Sequence, residues 1–303
     1  MIVDNKITIN NAIEQYLNWK STYTISAVKA YKPRLLTFME FVGEGSLLSD
    51  INPIQVSAFI NHIRYEKIFR GNNYSLATVS YSLNILKNFF DFWNGRGLSN
   101  VNPKEFRNIR YVKTLTEVVT KDDVSAMERT LNPRYYEDII KILVIKLLWD
   151  TGMRVSELCD LKLGDIKEIN PFGQRSAKIR TKKTMQYNYV MWSKETDAIL
   201  NQYLGIRLCL NVDHDYLLMS RKSRSSINVK TIQRWIKDIA KNALITKNIT
   251  PHSFRHGKAH NLVDRGAHHR DIVAILRHSN PASTYHYLTL NEHRFSEVAG
   301  KYL

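Results

Sequence analysis

Residues 139–158 read IIKILVIKLLWDTGMRVSEL. The first eleven are apolar apart from Lys141 and Lys146, enough for a buried helix and too short to span a bilayer. Asp150-Thr-Gly152 ends that helix, and Arg154 follows at once, opening the next. An arginine between two apolar helices is costly to bury unless it is paired or bound to an anion. Glu157 supplies a carboxylate three residues on. The stretch therefore has two meanings: a structural Arg154–Glu157 ion pair, or an anion site whose arginine Glu157 orients.

Downstream the pattern stays mainly helical. Helices are expected at 121–131, 134–150, 155–162, 193–206, 229–244, 253–265 and 269–276. Between 163 and 192 Pro171-Phe-Gly173 is a turn, and Ala177–Thr181 with Tyr187–Trp192 form a β-hairpin. Upstream, Thr8 caps a helix carrying Ile13, Tyr16 and Leu17, and a second runs from Thr24 to Val42, where Pro33 should kink or restart it. Asn52-Pro53 opens a third helix, and Ser75 caps a fourth that Gly95-Arg-Gly97 stops. Four helices with short loops make a bundle. From Asn100 the apolar period fades, and Lys104, Arg107, Arg110 and Lys113 mark a basic linker. The expected organisation is a helical domain over 1–100, a linker over 101–113 and a second domain over 114–303. The fold class is mainly α (α+β), with one small antiparallel sheet.

The chain has 303 residues, 44% hydrophobic and 24% charged, which excludes a disordered or fibrous polypeptide. Its 44 Lys+Arg against 28 Asp+Glu give a formal charge of +16, which points to a polyanionic partner. Thirteen basic face eight acidic residues in 1–112, and 31 face 20 in the rest, so the partner should touch both halves. The N-terminus lacks a signal-peptide pattern, and two cysteines, Cys159 and Cys209, make no disulfide framework. A cytoplasmic protein with no membrane partner is expected.

Eight of the ten histidines fall in residues 252–293. His252, His256 and His260, four apart on one helical face, could suggest zinc. No HExxH is present, no acidic ligand falls in register, and Arg255 would repel a cation there. A second reading starts from Thr250-Pro251, a helix-start signal that sets His252 and Arg255 at a helix N-terminus, where both can aim at one anion. A capping histidine beside a surface arginine is the plainer alternative.

TGMRVSEL at 151–158, HSFRH at 252–256 and LRHSNPASTYHY at 276–287 together resemble the three signature boxes of the tyrosine recombinase (phage integrase, Xer-like) family. The resemblance spans most of the chain. It implies a core-binding (SAM-like) DNA-binding domain over 1–100 and a catalytic domain over 114–303, with a C-terminal tail at 291–303 that docks on its own or a neighbouring protomer. No arm-type DNA-binding module is expected before residue 8. By position, Arg154 is the first arginine, His252 and Arg255 the HxxR pair, His278 the later histidine and Tyr287 the nucleophile, with Tyr285 the nearby alternative. The family's hairpin lysine falls on Lys183, beside Lys182. Two features depart from the family: TKKTMQ lacks the glycines common around that lysine, and Arg277 stands where glycine usually precedes the histidine.

The chemistry so implied is cleavage and rejoining of DNA through a 3′-phosphotyrosyl link, with no cofactor, metal or ATP. The arginines would stabilise transition-state charge, His252 would help deprotonate Tyr287, and Lys183 would protonate the departing 5′-oxygen. The implied partners are a double-stranded DNA site and three further copies in a homo-tetramer on it, with a monomer or dimer when free. The implied location is the nucleoid-associated cytoplasm. Arg221, Lys222 and Arg224, followed by Lys230, Arg234, Lys237 and Lys241 on helix 229–244, are candidate DNA contacts, with a solvated cationic face as the alternative. The rival functions are a type IB topoisomerase-like relaxing enzyme and a non-catalytic DNA-binding protein on the same fold.

Overall fold

The computed structural model describes residues 6–277 apart from 67, 70–71, 112–116, 172, 182–186 and 211. Lys182, Lys183, His278, Tyr285, Tyr287 and the tail 291–303 lie outside the described residues. The chain divides into two compact units, Met1–Thr114 and Leu115–Leu303.

In the first unit, α1 (Ile9–Ser21) starts at Thr8, whose hydroxyl accepts the Asn11 N–H at 3.4 Å. It packs Ile9, Ala12, Ile13 and Tyr16 inward against α2 (Ile25–Val42). Of the two outcomes expected at Pro33, the restart needs correcting, because α2 runs through it as one helix. Pro33 and Lys29 are both exposed, so the carbonyl that loses its donor can be hydrated, while Leu35, Phe38 and Met39 stay buried just beyond. α3 (Pro53–Asn61) is closed by a reciprocal Asn52–Gln55 capping box, both bonds 3.0 Å. α4 (Leu76–Asn94) is capped by Ser75 and buries Val79, Leu83, Leu86, Phe89, Phe90 and Trp93 along one side. A two-residue ladder, β1 (Ile68–Phe69) with β2 (Asn72–Asn73), precedes α4 and is too short to carry a period. Within 101–113, Val101 is fully buried and Phe106 and Ile109 pack on the same core, so this stretch is held to the first unit as far as Ile109.

In the second unit α6 (Tyr136–Thr151) is the hub, its residues buried on nearly every side, which is why its sequence is close to continuously apolar. Around it lie α5 (Lys121–Arg129), α8 (Lys194–Leu208), α9 (Val229–Asn242) and α10 (Pro251–Asp264). α7 (Val155–Cys159) is shorter than the expected 155–162. Leu161 and Lys162 leave the helix to meet residues 215–217, with Lys162 bridging to Tyr216 and Leu217 N–H donating to Leu161 O at 2.7 Å. β3 (Ser176–Arg180) pairs antiparallel with β4 (Tyr187–Met191), Ala177 opposite Val190 and Ile179 opposite Asn188. Ala177, Ile179 and Val190 face the core while Tyr187, Tyr189 and Met191 face out, the period-two reading of the hairpin. α11 (His269–Leu276) packs Ile272 and Leu276 against Ala259 and Val263 of α10. Among the described residues no helix is long and apolar enough to cross a membrane.

Candidate active site

Three helix ends meet in the second unit. α6 stops at Gly152, whose left-handed backbone (φ 56°, ψ 22°) turns the chain toward α7. A Cβ at 152 would lie 2.7 Å from Leu276 Cδ2, so the end of α11 closes directly on this turn. Arg154 is the residue before α7, and Glu157 answers it twice. Its Oε2 accepts the Arg154 backbone N–H at 2.8 Å, and its Oε1 accepts Arg154 Nη1 at 2.9 Å. The Glu157 side chain is 2% exposed and that of Arg154 33%, so a buried carboxylate holds a guanidinium that still reaches the surface.

Arg255 comes from the first turns of α10, which Thr250 and Ser253 cap reciprocally and Pro251 starts. It is 2% exposed. Its Nη1 donates to Gly152 O at 2.8 Å, and its Nη2 donates to Leu276 O. Both acceptors are carbonyls at helix C-termini, the negative ends of α6 and α11, which accounts for a buried guanidinium without a carboxylate in these bonds.

His252 is exposed on the first turn of α10. Partial desolvation, then the charges of Arg255 and Arg154, hold its pKa below the ordinary histidine value. Arg154, Arg255 and His252 thus share one electrostatic neighbourhood. His256 stacks edge-on against His252, ring centroids 4.4 Å apart, and burial reinforced by the neighbouring histidines and Arg255 pushes its pKa down to about 4. His260 is also lowered, by desolvation. The stripe is therefore neutral at neutral pH. Among the described residues no group of three or more His, Cys, Asp or Glu side chains is placed to hold a metal ion.

Two further residues enter the site. Thr181, buried at the end of β3, approaches Glu157 Oε1 at 3.5 Å and accepts Asn188 Nδ2 at 3.3 Å. It is the last described residue before Lys182 and Lys183, and the alternation of β3 could have marked it as inward-facing. Arg277, at the end of α11, turns its guanidinium toward Glu157 Oε2 at 3.5 Å, and its side chain is 5% exposed. Sequence offered no sign of that burial, since arginine is ordinarily exposed.

The remaining candidates form a separate group by position. Arg221, Lys222 and Arg224 are exposed on a turn. Lys230, Arg234, Lys237 and Lys241 are exposed on one face of α9, opposite the buried Ile232, Ile236 and Ile239.

Residues 117–294 match the model of the phage integrase family. A tyrosine recombinase of Thermosipho africanus is 25% identical over 285 residues, covering 93% of this chain and 95% of its own. Tyrosine recombinase XerC of Staphylococcus epidermidis is 24% identical over 279 residues, 92% and 90% of the two chains. Among solved structures, the XerH site-specific recombinase bound to its palindromic difH substrate in a post-cleavage complex superposes with a TM-score of 0.75. It is 19% identical, over 95% of this chain and 83% of that one. A lambda integrase tetramer bound to a Holliday junction gives 0.71 at 16% identity, over 92% and 80%.

Proposed function

Because the chain belongs to the phage integrase family and is a tyrosine-type site-specific DNA recombinase, we propose that it cuts and rejoins duplex DNA through a covalent 3′-phosphotyrosyl link made by Tyr287, with neither ATP nor metal. The observation that carries this reading is that Arg255, three residues after His252 on α10, is hydrogen-bonded to Gly152, two residues before Arg154. Two cations and a neutral imidazole, all fixed by helix ends, form a suitable cradle for one phosphodiester.

In the proposed step the Tyr287 hydroxyl oxygen attacks the scissile phosphorus as the bond to the 5′-oxygen breaks. The phenolic proton passes to His252, whose lowered pKa keeps it unprotonated at neutral pH and able to accept. Lys183 gives a proton to the departing 5′-oxygen. Arg154 and Arg255, with His278, bear on the charge that builds on the non-bridging oxygens. The phosphotyrosyl bond conserves the energy of the broken ester, so a 5′-hydroxyl from a second duplex can attack it and release Tyr287.

In this reading 114–303 is the catalytic domain and 1–100 is a second DNA-binding domain. Four copies assemble on the DNA, a reading that the similarity to a lambda integrase tetramer bound to a Holliday junction supports. The exposed basic face of α9 and the 221–224 turn bind backbone phosphates of the duplex, and the protein works at the nucleoid in the cytoplasm.

The test begins by selecting a bound site from a random duplex library with the full chain. A nicked suicide duplex carrying that site should trap a covalent adduct that Tyr287→Phe abolishes and Tyr285→Phe retains, with EDTA present throughout. An adduct lost only in Tyr285→Phe overturns the nucleophile assignment, and no adduct from the wild type overturns the reading as a whole.

A further inference from the structure

Arg277 carries three features that the reading so far leaves unused. Its backbone sits at φ 55°, ψ 49°, a left-handed well that glycine enters freely and arginine does not. Its side chain is buried beside a carboxylate, with Nη1 donating to Ile275 O at 2.7 Å and Nη2 3.5 Å from Glu157 Oε2. Neither its Nε nor its Nη2 has a hydrogen-bond partner among the described residues, so the Nη2 approach to Glu157 is an ion pair alone. A residue placed only to end α11 would be better served by glycine, and an arginine placed for solubility would be exposed.

The same Glu157 holds Arg154 through its other oxygen and through the Arg154 backbone. One buried carboxylate therefore joins two guanidiniums on two elements: Arg154 at the start of α7 and Arg277 at the end of α11. We propose that Arg277 is a positioning residue for strand cleavage, tying the end of α11, the residue next to His278, to the carboxylate that aims Arg154. The inference rests on the reading of Arg154, His278 and Tyr287 as parts of the cleavage site.

Arg277 supplies this tie at a cost in desolvation, which holds its own pKa below the ordinary arginine value, with the nearby Arg154 adding to the effect and Glu157 opposing it. Two guanidiniums against one carboxylate leave the neighbourhood net positive before DNA arrives. Binding a phosphodiester anion would then relieve the repulsion between Arg154 and Arg277, so the tie and the substrate should reinforce each other.

The test uses the full chain and the nicked suicide duplex described above, with single-turnover adduct rate and duplex Kd measured separately for Arg277→Gly, Arg277→Lys and Tyr287→Phe. Glycine relaxes the left-handed backbone, so any loss in Arg277→Gly belongs to the side chain. The expected result is an adduct rate down by about tenfold or more, with Kd within about twofold, and partial recovery in Arg277→Lys, which keeps the charge. A wild-type rate in Arg277→Gly would reduce Arg277 to a helix end and overturn the proposal. Rate and thermal midpoint falling together while Kd rises, with no recovery by lysine, would mark a merely structural contact and overturn it as well. An adduct that persists in Tyr287→Phe would instead overturn the Tyr287 assignment on which the proposal rests, and no adduct from the wild type would sink the cleavage reading itself, whatever the Arg277 variants do.

Discussion

Glu157 accepts both the backbone N–H of Arg154 at 2.8 Å and its Nη1 at 2.9 Å, so one buried side chain caps α7 and sets the direction of the guanidinium just before that helix. Of the two meanings open in the sequence, the ion pair is what the structure shows; in the proposed site the same pair would orient the arginine toward an anion. Glu157→Gln keeps the size and one acceptor but removes the charge, leaving buried Arg277 without its carboxylate. The expected loss is about 3 kcal/mol, the lower end of the range for breaking a buried pair, because Arg154 is a third exposed and can be hydrated. Urea unfolding of the second unit checks it. A loss below about 0.5 kcal/mol would show that the carboxylate does little for stability.

The histidine stripe sets an acid limit on the fold. His252, His256 and His260 all bind protons less readily folded than unfolded, the largest cause in each being desolvation. The unfolded chain therefore holds more protons below about pH 6.5, and stability falls as pH falls. For His256 the contribution is complete above about 6.5 and lost progressively toward about 4. Thermal midpoints between pH 7 and 4.5 should decline in the wild type and decline less in His256→Gln. Parallel curves for the two proteins would remove His256 from the account.

Much of this architecture is visible in the sequence, for identifiable reasons. The near-continuous apolar run of α6 can only be a buried hub, the caps at Thr8, Asn52 and Ser75 announce their helices, and the alternation in 187–191 separates Val190 from Tyr187, Tyr189 and Met191. At Pro33 the helix does not restart, because the breaker rule counts one lost hydrogen bond, whereas Leu35, Phe38 and Met39 hold the helix by packing. In the site, spacing placed Arg255 on the right turn but said nothing of the Gly152 and Leu276 carbonyls its guanidinium holds. Those acceptors are about 103 and 21 residues away in sequence, and only tertiary closure brings them in. Arg277 was legible as a departure from glycine; that its side chain turns inward was not.

Gly257 is required by a close approach. A Cβ there would stand 2.0 Å from Val119 O and 3.2 Å from Trp149 Cζ3, and the nearer atom is backbone. The 117–120 segment lies against α10 at this point, with Val119 N–H donating to Ser253 O at 3.4 Å. Gly257→Ala must displace either that segment or α10, two residues beyond Arg255. The expected destabilisation is about 3 kcal/mol, the upper end of ordinary overpacking, since no side chain can yield. Equilibrium unfolding reads it directly, and a change within about 0.5 kcal/mol would mean that the segment moves aside freely.

The basic face of α9 gives a prediction that separates phosphate contact from mere solvation. Lys230, Arg234, Lys237 and Lys241 recur at helical spacing on the exposed side, while Ile232, Ile236 and Ile239 anchor the other, so single alanine substitutions should leave the fold intact. Each side chain that neutralises a phosphate releases a condensed counterion on binding. Removing it should then lower the slope of log K against log salt by about 0.9 and weaken binding to every duplex alike. A residue that only faces water changes neither slope nor affinity beyond the small effect of net charge. Titrations of Lys230→Ala, Arg234→Ala, Lys237→Ala and Lys241→Ala with one selected duplex and one scrambled duplex, across about 50 to 200 mM salt, distinguish the cases. Slopes unchanged in all four variants would make the face a solubilising surface. A loss confined to the selected duplex would instead place that side chain on a base edge rather than on the backbone.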